Sequence, residues 1–547
     1  MKRNLSKLAN TNFDLLIIGG GIYGAILFWQ ATLLGFSVGL IEKGDFAEGT
    51  SSNSQKIIHG GLRYLQQLNV LRMRQSIWSR GMFMRIAPHL VHPLMCLMPI
   101  YGHGLKGKET MSLGLRINDL VSFDRNDLSK KSKCIPNGKI LSLAETNYFI
   151  PHLDQRNLMG SAQWYDALCS NTERIIIGLL RTACEKGAVV ANYVKGVKLI
   201  LNGYRVTGVK VKDQLTGCEF DILAKRVANC TGPWANEFLP HSNKNYKHPQ
   251  KLVKGINIVV NKILPFNCAV GLKSKTARGR LYFAVPWSGK TIIGTEYSLY
   301  HGYPDENRCD EDGCLQLIDG FNQAYPFAQL KLDDVTFIHN GLLPVDGQKS
   351  STNGEKSISK KFKILDHGFH GIHGFISIIG VKYTTAGYVS LKALKYLFPE
   401  IANTEVNFKQ RLVGGDIDDF PSFRKEIVRR WETKIDAEVL VQLIENYGTE
   451  TGDVFRMEGL QTNSFTKQGD HSLLILKGQT LFAIQEEMAM KLSDVVLRRT
   501  GIGTMKRPGK EILNKISSIM AEEHGWTETR RRAEIQEVND FYPSFIT

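Results

Sequence analysis

The sequence predicts an α/β protein with a doubly wound, nucleotide-binding parallel sheet, followed by a helical C-terminal domain. Three observations carry that reading. FDLLIIGGGIYGAILFWQATLLGFSVGLIEKGD, Phe13 to Asp45, runs strand, glycine turn, helix, strand. Short apolar strand-like runs then recur as far as Phe375–Ile379. Beyond about residue 405 the pattern changes to amphipathic helices, such as Ser422–Trp431 and Thr480–Arg499.

Leu15–Ile18 is an uninterrupted apolar run suited to a buried parallel strand, Ala25–Leu34 to a crossover helix and Ser37–Ile41 to a second strand. Gly19, Gly21 and Gly24 form GxGxxG between strand and helix. The first permits a tight turn, the second lets the backbone approach a pyrophosphate, and the third allows close helix-to-strand packing. Glu42, at the end of the second strand, stands where an acid binds a ribose hydroxyl pair. An acid there would repel the extra phosphate of NADP.

Next comes TSSNSQKIIHGGLRYLQQ, Thr50 to Gln67, crowded with hydroxyl, basic and glycine residues. Its apolar Ile57, Ile58 and Leu62 argue for partial burial, and buried polar groups must find partners. A helix is predicted over Val70–Ala87, carrying Arg72, Arg74, Arg80 and Arg85. A mixed stretch to about residue 155 precedes a second long helix over Trp164–Cys184 and a strand at Ala188–Tyr193. Arg226–Asn229 leads into Cys230-Thr-Gly-Pro-Trp234, a strand meeting a tight turn. Further strands are expected at Ile256–Val260, Tyr282–Val285, Thr291–Ile293 and Phe375–Ile379, the last running into Gly380-Val-Lys-Tyr-Thr-Thr385. Residues 346–361 have the composition of a mobile loop.

The 547 residues are 43% hydrophobic, enough for two or more domains with developed cores. Nine scattered cysteines without a CxxC pair favour reduced thiols and a cytoplasmic location, and no metal site is expected. The basic start lacks the apolar region of a secretory signal, and no window approaches the roughly 18 apolar residues of a spanning helix. A net charge of +16 invites an anionic partner. The basic residues are dispersed and carry no nucleic-acid-binding motif, so the expectation is no nucleic acid. Anionic lipid headgroups remain a partner, and a merely solvated basic surface is the alternative.

Taken together, GGGIYG with Glu42, TSSNSQKIIHGGLRYL, NCTGPWA at Asn229–Ala235, KGINIVV, IIGT, GVKYTT and Leu497-Arg-Arg-Thr500 resemble the FAD-dependent glycerol-3-phosphate dehydrogenases in order and spacing. The resemblance implies a doubly wound FAD-binding domain interleaved with an antiparallel-sheet substrate domain within residues 1–405. The FAD-binding parts would be about 13–90, 156–250 and 336–405, and the substrate-sheet parts about 91–155 and 251–335. A helical domain at 406–547 completes the chain. Thr50, Ser51, Ser52 and Ser54 would bind pyrophosphate or ring edge, although a loop satisfying its own backbone is the alternative. Gly60 and Gly61, after His59, would pass beside the isoalloxazine, while Arg63 and Tyr64 would turn toward substrate; for Arg63 a structural salt bridge is the rival. Gly380, Lys382, Thr384 and Thr385 would face the flavin pyrimidine edge, with Val381 in place of a glycine narrowing the site. Thr231 and Gly232 would close the turn near the pyrophosphate, and Val194 would offer backbone contacts to adenine.

Three departures from the family pattern concern the substrate rather than the cofactor. Asn257 stands where the family has a histidine, Leu343 where it has a phosphate-binding arginine, and a second such arginine aligns only loosely with Lys360. Asparagine cannot take a proton, and leucine offers an anion nothing. The resemblance implies hydride transfer from a secondary alcohol to flavin N5, giving a ketone, with His59 or Lys382 accepting the proton or Tyr64 positioning the oxygen. Quinone or oxygen would take the electrons, and a homodimer and peripheral contact with the cytoplasmic membrane stay open. Alternatives are oxidation of an amine or of a biosynthetic sugar or polyol intermediate, and a non-catalytic flavoprotein.

Overall fold

A computed structural model describes all residues except 105–106, 127–132, 238–250, 275–278, 346–357, 360, 403–407, 460–470 and 547. Lys360, most of the expected loop at 346–361 and the expected domain boundary near 405 therefore lie outside the described residues.

Among the described residues the strands form three sheets. In the first, Phe375–Ile379, Val227–Asn229, Leu15–Ile18, Val38–Ile41 and Val189–Ala191 are parallel neighbours in that order, and Lys363–Asp366 adds an antiparallel edge. Every residue of Leu15–Ile18 and Val38–Ile41 is buried, as strands covered on both faces require. The helices Ile22–Leu33, Thr172–Glu185 and Ala386–Leu397 pack with them in one apolar core. The second sheet is small, with Val194–Asn202, Arg205–Asp213 and Glu219–Ala224 antiparallel and Asn12–Phe13 parallel at its edge.

The third and largest sheet is mainly antiparallel. Its order is Val335–Pro344, Leu252–Asn261, Lys290–Tyr300, Leu281–Trp287, Ala269–Lys273, Val91–Tyr101, Leu158–Cys169 and Ile57–Ile58. Three of its members, Ile57–Ile58, Leu158–Cys169 and Val335–Pro344, come from stretches assigned by sequence to the FAD-binding parts. The C-terminal helices include Phe420–Trp431, Ala437–Tyr447, His471–Gln485, Lys510–His524 and Glu528–Phe541. Leu492, Val495, Leu513 and Ile516 join the same apolar cluster as Ile258 and Ile292 of the large sheet.

Two predicted helices are corrected. Trp164–Cys184 is the end of the strand Leu158–Cys169 followed by the helix Thr172–Glu185, because the Asn171 side chain accepts from the Arg174 amide and starts the helix there. Thr480–Arg499 is likewise divided. The helix His471–Gln485 ends before Met488, which takes a left-handed conformation (φ 58°), and a π-helical turn covers Asp494–Arg499.

Candidate active site

A continuous cleft of about 3740 Å³ runs between the parallel sheet and the large sheet. Gly19, Gly21, Glu42, Thr50, Ser51, Thr231 and Gly232 line it, as do His59, Tyr64, Asn257, Leu343 and Lys382.

The glycine turn is built to exclude side chains. Gly19 is left-handed (φ 110°), and a Cβ on Gly24 would lie 1.9 Å from the Gly19 carbonyl oxygen, so the helix Ile22–Leu33 starts hard against the turn. Glu42 accepts from the amides of Gly20 (2.6 Å) and Gly44 (2.9 Å). Burial nevertheless raises its carboxyl above the ordinary range, against the pull of those two donors. The Val194 amide donates to the Glu42 carbonyl (2.7 Å), and Lys195 and Gly196 line the cleft beside it.

In the Thr50–Gln67 segment the hydroxyls take different partners. Ser51 Oγ accepts from the Ile22 amide (2.9 Å), at the helix N-terminus where an anion is favoured. Thr50 Oγ1 donates to the Leu342 carbonyl (2.8 Å), tying the segment to the large sheet. Ser52 donates to Gly49 O (3.1 Å) and Ser54 accepts from the Lys56 amide (3.2 Å), so these two hydroxyls satisfy the loop's own backbone. The whole segment is anchored by buried Lys56, whose Nζ donates to Ser52 O (3.1 Å), Thr172 Oγ1 (2.8 Å) and Glu173 (3.0 Å).

Gly60 donates its amide to Asp166 Oδ1 (2.5 Å), and the same carboxylate takes Arg80 Nη1 (3.3 Å) and Trp164 Nε1 (3.0 Å). A buried ion pair thus fixes the His-Gly-Gly turn. The His59 amide donates to Thr384 Oγ1 (3.3 Å). Burial, with the charges of Lys382 and Arg80 adding to it, holds the His59 imidazole down to about 3.

Opposite, Tyr23 pins the 380–385 turn. Its hydroxyl donates to Lys382 O (2.8 Å) and accepts from the amides of Val381 (3.2 Å) and Lys382 (3.3 Å). A Cβ on Gly380 would fall 1.9 Å from the Tyr23 ring, so glycine is required there. Thr385 Oγ1 turns back to Lys382 O (3.5 Å). Lys382 Nζ donates to the Tyr64 hydroxyl, and burial together with Arg72 and Arg63 lowers the ammonium to about 8. From the large sheet, Asn257 Oδ1 accepts from Thr295 Oγ1 (2.6 Å). Thr231 Oγ1 donates to Asn229 Oδ1 (2.6 Å), shaping the turn that includes Gly232 (φ 59°).

The model for FAD-dependent oxidoreductases matches residues 14–386, and that for the C-terminal domain of alpha-glycerophosphate oxidase matches residues 407–531. The chain belongs to the FAD-dependent oxidoreductase family. Glycerol-3-phosphate dehydrogenase of Synechocystis sp. is 30% identical to this oxidoreductase, with 98% of each chain covered. Aerobic glycerol-3-phosphate dehydrogenase of Staphylococcus epidermidis is 29% identical over 98% of this chain and 95% of its own. The solved structure of glycerol-3-phosphate dehydrogenase from Bacillus halodurans, complexed with FAD, superimposes with a TM-score of 0.76 at 26% identity, over 98% of this chain and 95% of that one. FAD is the cofactor of this oxidoreductase, and the cleft suits it: an acid at the strand end, a turn closed to side chains, and a helix N-terminus between them.

Sequence reasoning missed Tyr23, Lys56, Arg80, Asp166 and Thr295. Their partners stand between 38 and 359 residues away for the bonds Thr295–Asn257 and Tyr23–Lys382. Tyr23, Lys56 and Thr295 had a signal, since they stand inside the motifs GGGIYG, TSSNSQKIIHGGLRYL and IIGT already singled out.

Proposed function

We propose that this oxidoreductase converts a secondary alcohol to a ketone, and that the alcohol is a small polyol of the glycerol 3-phosphate type. The observation that carries the reading is the Lys382–Tyr64 contact inside the cleft, with the lysine lowered to about 8. When bound, FAD supplies the hydride acceptor. As the carbon–hydrogen bond breaks with its electron pair, the alcohol proton passes to the Tyr64 oxygen, the Tyr64 proton passes to neutral Lys382 Nζ, and the carbonyl forms. A lysine poised near working pH suits that task. His59, held down to about 3, stays neutral and packs edge-on against the Tyr64 ring (centroids 6.1 Å apart) as a positioning group. Asn257, its Oδ1 occupied by Thr295, is left with an amide donor for the substrate oxygen.

Anaerobic flavin bleaching with glycerol 3-phosphate, other phosphorylated alcohols and amines tests the reading. Bleaching by an alcohol is the expected result, and bleaching by amines alone overturns it.

The electron acceptor in this reading is a quinone, met at the cytoplasmic face of an anionic bilayer. Leu68, Leu71, Leu120 and Phe123 are 88%, 77%, 73% and 79% exposed, and Leu68, Val70, Leu113 and Ile117 line the cleft, giving an apolar route inward. Among the described residues no helix is long and apolar enough to cross a membrane. Cosedimentation with anionic vesicles should be strong at low salt and weaken as the Debye length falls below about 10 Å. Equal binding to neutral vesicles, or none to either, contradicts this account. Turnover with oxygen but not with a quinone would assign the other acceptor. Sedimentation mass of the FAD-loaded protein in the same experiments reads whether it is a homodimer.

A further inference from the structure

The stretch between the strand Lys290–Tyr300 and the helix Glu311–Ala324 reaches from the large sheet to the nucleotide side of the cleft. Its Asp305 carboxylate accepts from Lys43 Nζ (2.8 Å) and from Trp234 Nε1 (2.8 Å), and the Lys43 ammonium lies 4.4 Å from the centre of the Trp234 ring. Lys43 directly follows Glu42, and Trp234 closely follows Thr231 and Gly232, so this strap is latched to two segments of the nucleotide wall. Lys43, Trp234, Asp305 and Cys309 all line the cleft. The latch faces solvent, and exposed ion pairs hold little on their own.

The other end of the strap is built differently. Asp310 caps the helix, its Oδ1 accepting from the Gly313 amide (2.7 Å), and Lys254 Nζ donates to Arg308 O (2.8 Å) and Asp310 Oδ2 (2.7 Å). Cys309 stands one residue before that cap and Cys314 four residues into the helix, the two positions at which an apolar pair staples a helix start. Here the pair is two thiols, with their sulfurs 3.6 Å apart. Cys314 is buried in the core of the large sheet, whereas Cys309 is partly exposed at the cleft. An aliphatic pair would staple the helix as well, but only thiols can be joined.

We propose that Cys309 and Cys314 are a redox-modified pair, oxidised by hydrogen peroxide to a disulfide that stiffens the strap and slows the escape of FAD. The cleft-facing Cys309 sulfur attacks one peroxide oxygen: an S–O bond forms, the O–O bond breaks, and the thiol proton leaves with the other oxygen as water. The Cys314 sulfur then displaces hydroxide from that sulfenic acid, and its own proton completes a second water. Two thiols lose two electrons and two protons, and one peroxide becomes two waters. Oxygen that takes two electrons and two protons in place of quinone becomes that peroxide within the same cleft, so the reagent arises where Cys309 lies. A bridge across the first turn prevents the fraying of the helix start by which the strap would swing away from Lys43 and Trp234. The proposal needs FAD as the bound cofactor and is independent of which substrate is oxidised.

The test treats FAD-loaded protein with hydrogen peroxide and reads two quantities. Peptide mapping without reduction locates disulfides, and the rise of free-flavin fluorescence after dilution gives the rate of FAD release. Native protein should gain a Cys309–Cys314 bridge, and its FAD release should slow about three- to tenfold and recover with dithiothreitol. Cys309→Ser should release FAD at the untreated native rate with or without peroxide. Because Cys314 is buried, Cys314→Ala is the second variant, and it should behave like Cys309→Ser. Asp305→Ala should still form the bridge yet release FAD at a faster rate that peroxide does not change, since its strap has no latch. Peroxide treatment that leaves the two thiols unbridged overturns the proposal. So does a bridge that forms without changing FAD release, or a slowing that persists in Cys309→Ser and therefore belongs to another sulfur.

Discussion

The two walls of the cleft are held in place by different means. On the nucleotide side the backbone itself fills the space: side chains on Gly24 and Gly380 would lie 1.9 Å from the Gly19 carbonyl oxygen and the Tyr23 ring. On the substrate side, polar side chains satisfy one another, as Asn257 does with Thr295 (2.6 Å), Asn340 with Asn307 (3.2 Å) and Tyr282 with Glu296 (2.7 Å). A backbone packed that closely tolerates no added atom, whereas a side-chain pair can be exchanged while its strands stay in register. Of the expected departures from the resemblance, Asn257 and Leu343 lie on strands of the large sheet, while Val381 lies in the turn that Tyr23 pins.

The sharpest way to break the nucleotide wall is Gly21→Val. A Cβ there meets only Ser51 Oγ, at 3.1 Å, so the fold should survive by circular dichroism while the added methyls occupy the path of the pyrophosphate. FAD content should fall to nothing. Full occupancy in this variant would remove the assignment of the turn.

The next largest effect lies where the walls meet. Lys382→Met should retain FAD, since Tyr23 holds the turn through the Lys382 backbone, but lower kcat about 10²- to 10⁴-fold by removing the proton acceptor. The pH dependence follows from the same group. A lysine must lose its proton to act as base, and burial with Arg72 and Arg63 brings that loss down to about 8. For native protein kcat/KM should therefore climb as pH rises through about 8 and level off above it. A profile flat from pH 6 to 10 would exclude Lys382.

How far the sequence reveals this molecule also differs between the walls. Leu15–Ile18 and Phe375–Ile379 match their predicted limits to the residue, because an apolar run, broken in the second only by buried Ser377, is what a doubly covered parallel strand looks like. The positions of Glu42 and Ser51 are legible too, the first directly after a strand and the second beside a helix start. Trp164–Cys169, the end of a strand, reads as part of a helix because only Ser170 and Asn171 separate it from one, with neither glycine nor proline to mark the break. The clamp of Arg80 and Asp166 on Gly60 has no local signature, because it joins a helix, a strand of the large sheet and the loop after its edge strand, with Asp166 106 residues from Gly60 and 86 from Arg80. The same holds for Arg72, one arginine among four on its helix, whose place over Tyr64 emerges only in the fold.

Glu42→Ala is a smaller perturbation of the nucleotide wall. It removes the acceptor of two backbone amides and the ribose contact expected of Glu42 but leaves the glycine turn intact, so FAD affinity should fall by about 1–3 kcal/mol. Isothermal titration of apoprotein measures this directly. Affinity equal to that of the native protein would mean that the ribose is held by other groups.

The smallest effects are expected from restoring the family residues on the substrate wall. Native protein should turn over glycerol 3-phosphate with kcat/KM below about 10⁴ M⁻¹s⁻¹, because Leu343 and Asn257 stand where the arginine and histidine would act. Leu343→Arg or Asn257→His alone should each gain less than about tenfold: the arginine without an oriented hydroxyl adds mainly binding, and the histidine without an anchored phosphate has no fixed proton to take. The histidine must also accommodate Thr295, whose hydroxyl donates to Asn257 Oδ1 (2.6 Å) and can donate to an unprotonated ring nitrogen instead. Together the two changes should exceed the product of their separate gains, since groups acting on one bound molecule are not independent. Strictly multiplicative gains would show that the two positions do not share a substrate. Native efficiency already at or above 10⁴ M⁻¹s⁻¹ would show that this wall, although built from different side chains, performs the family's reaction without them.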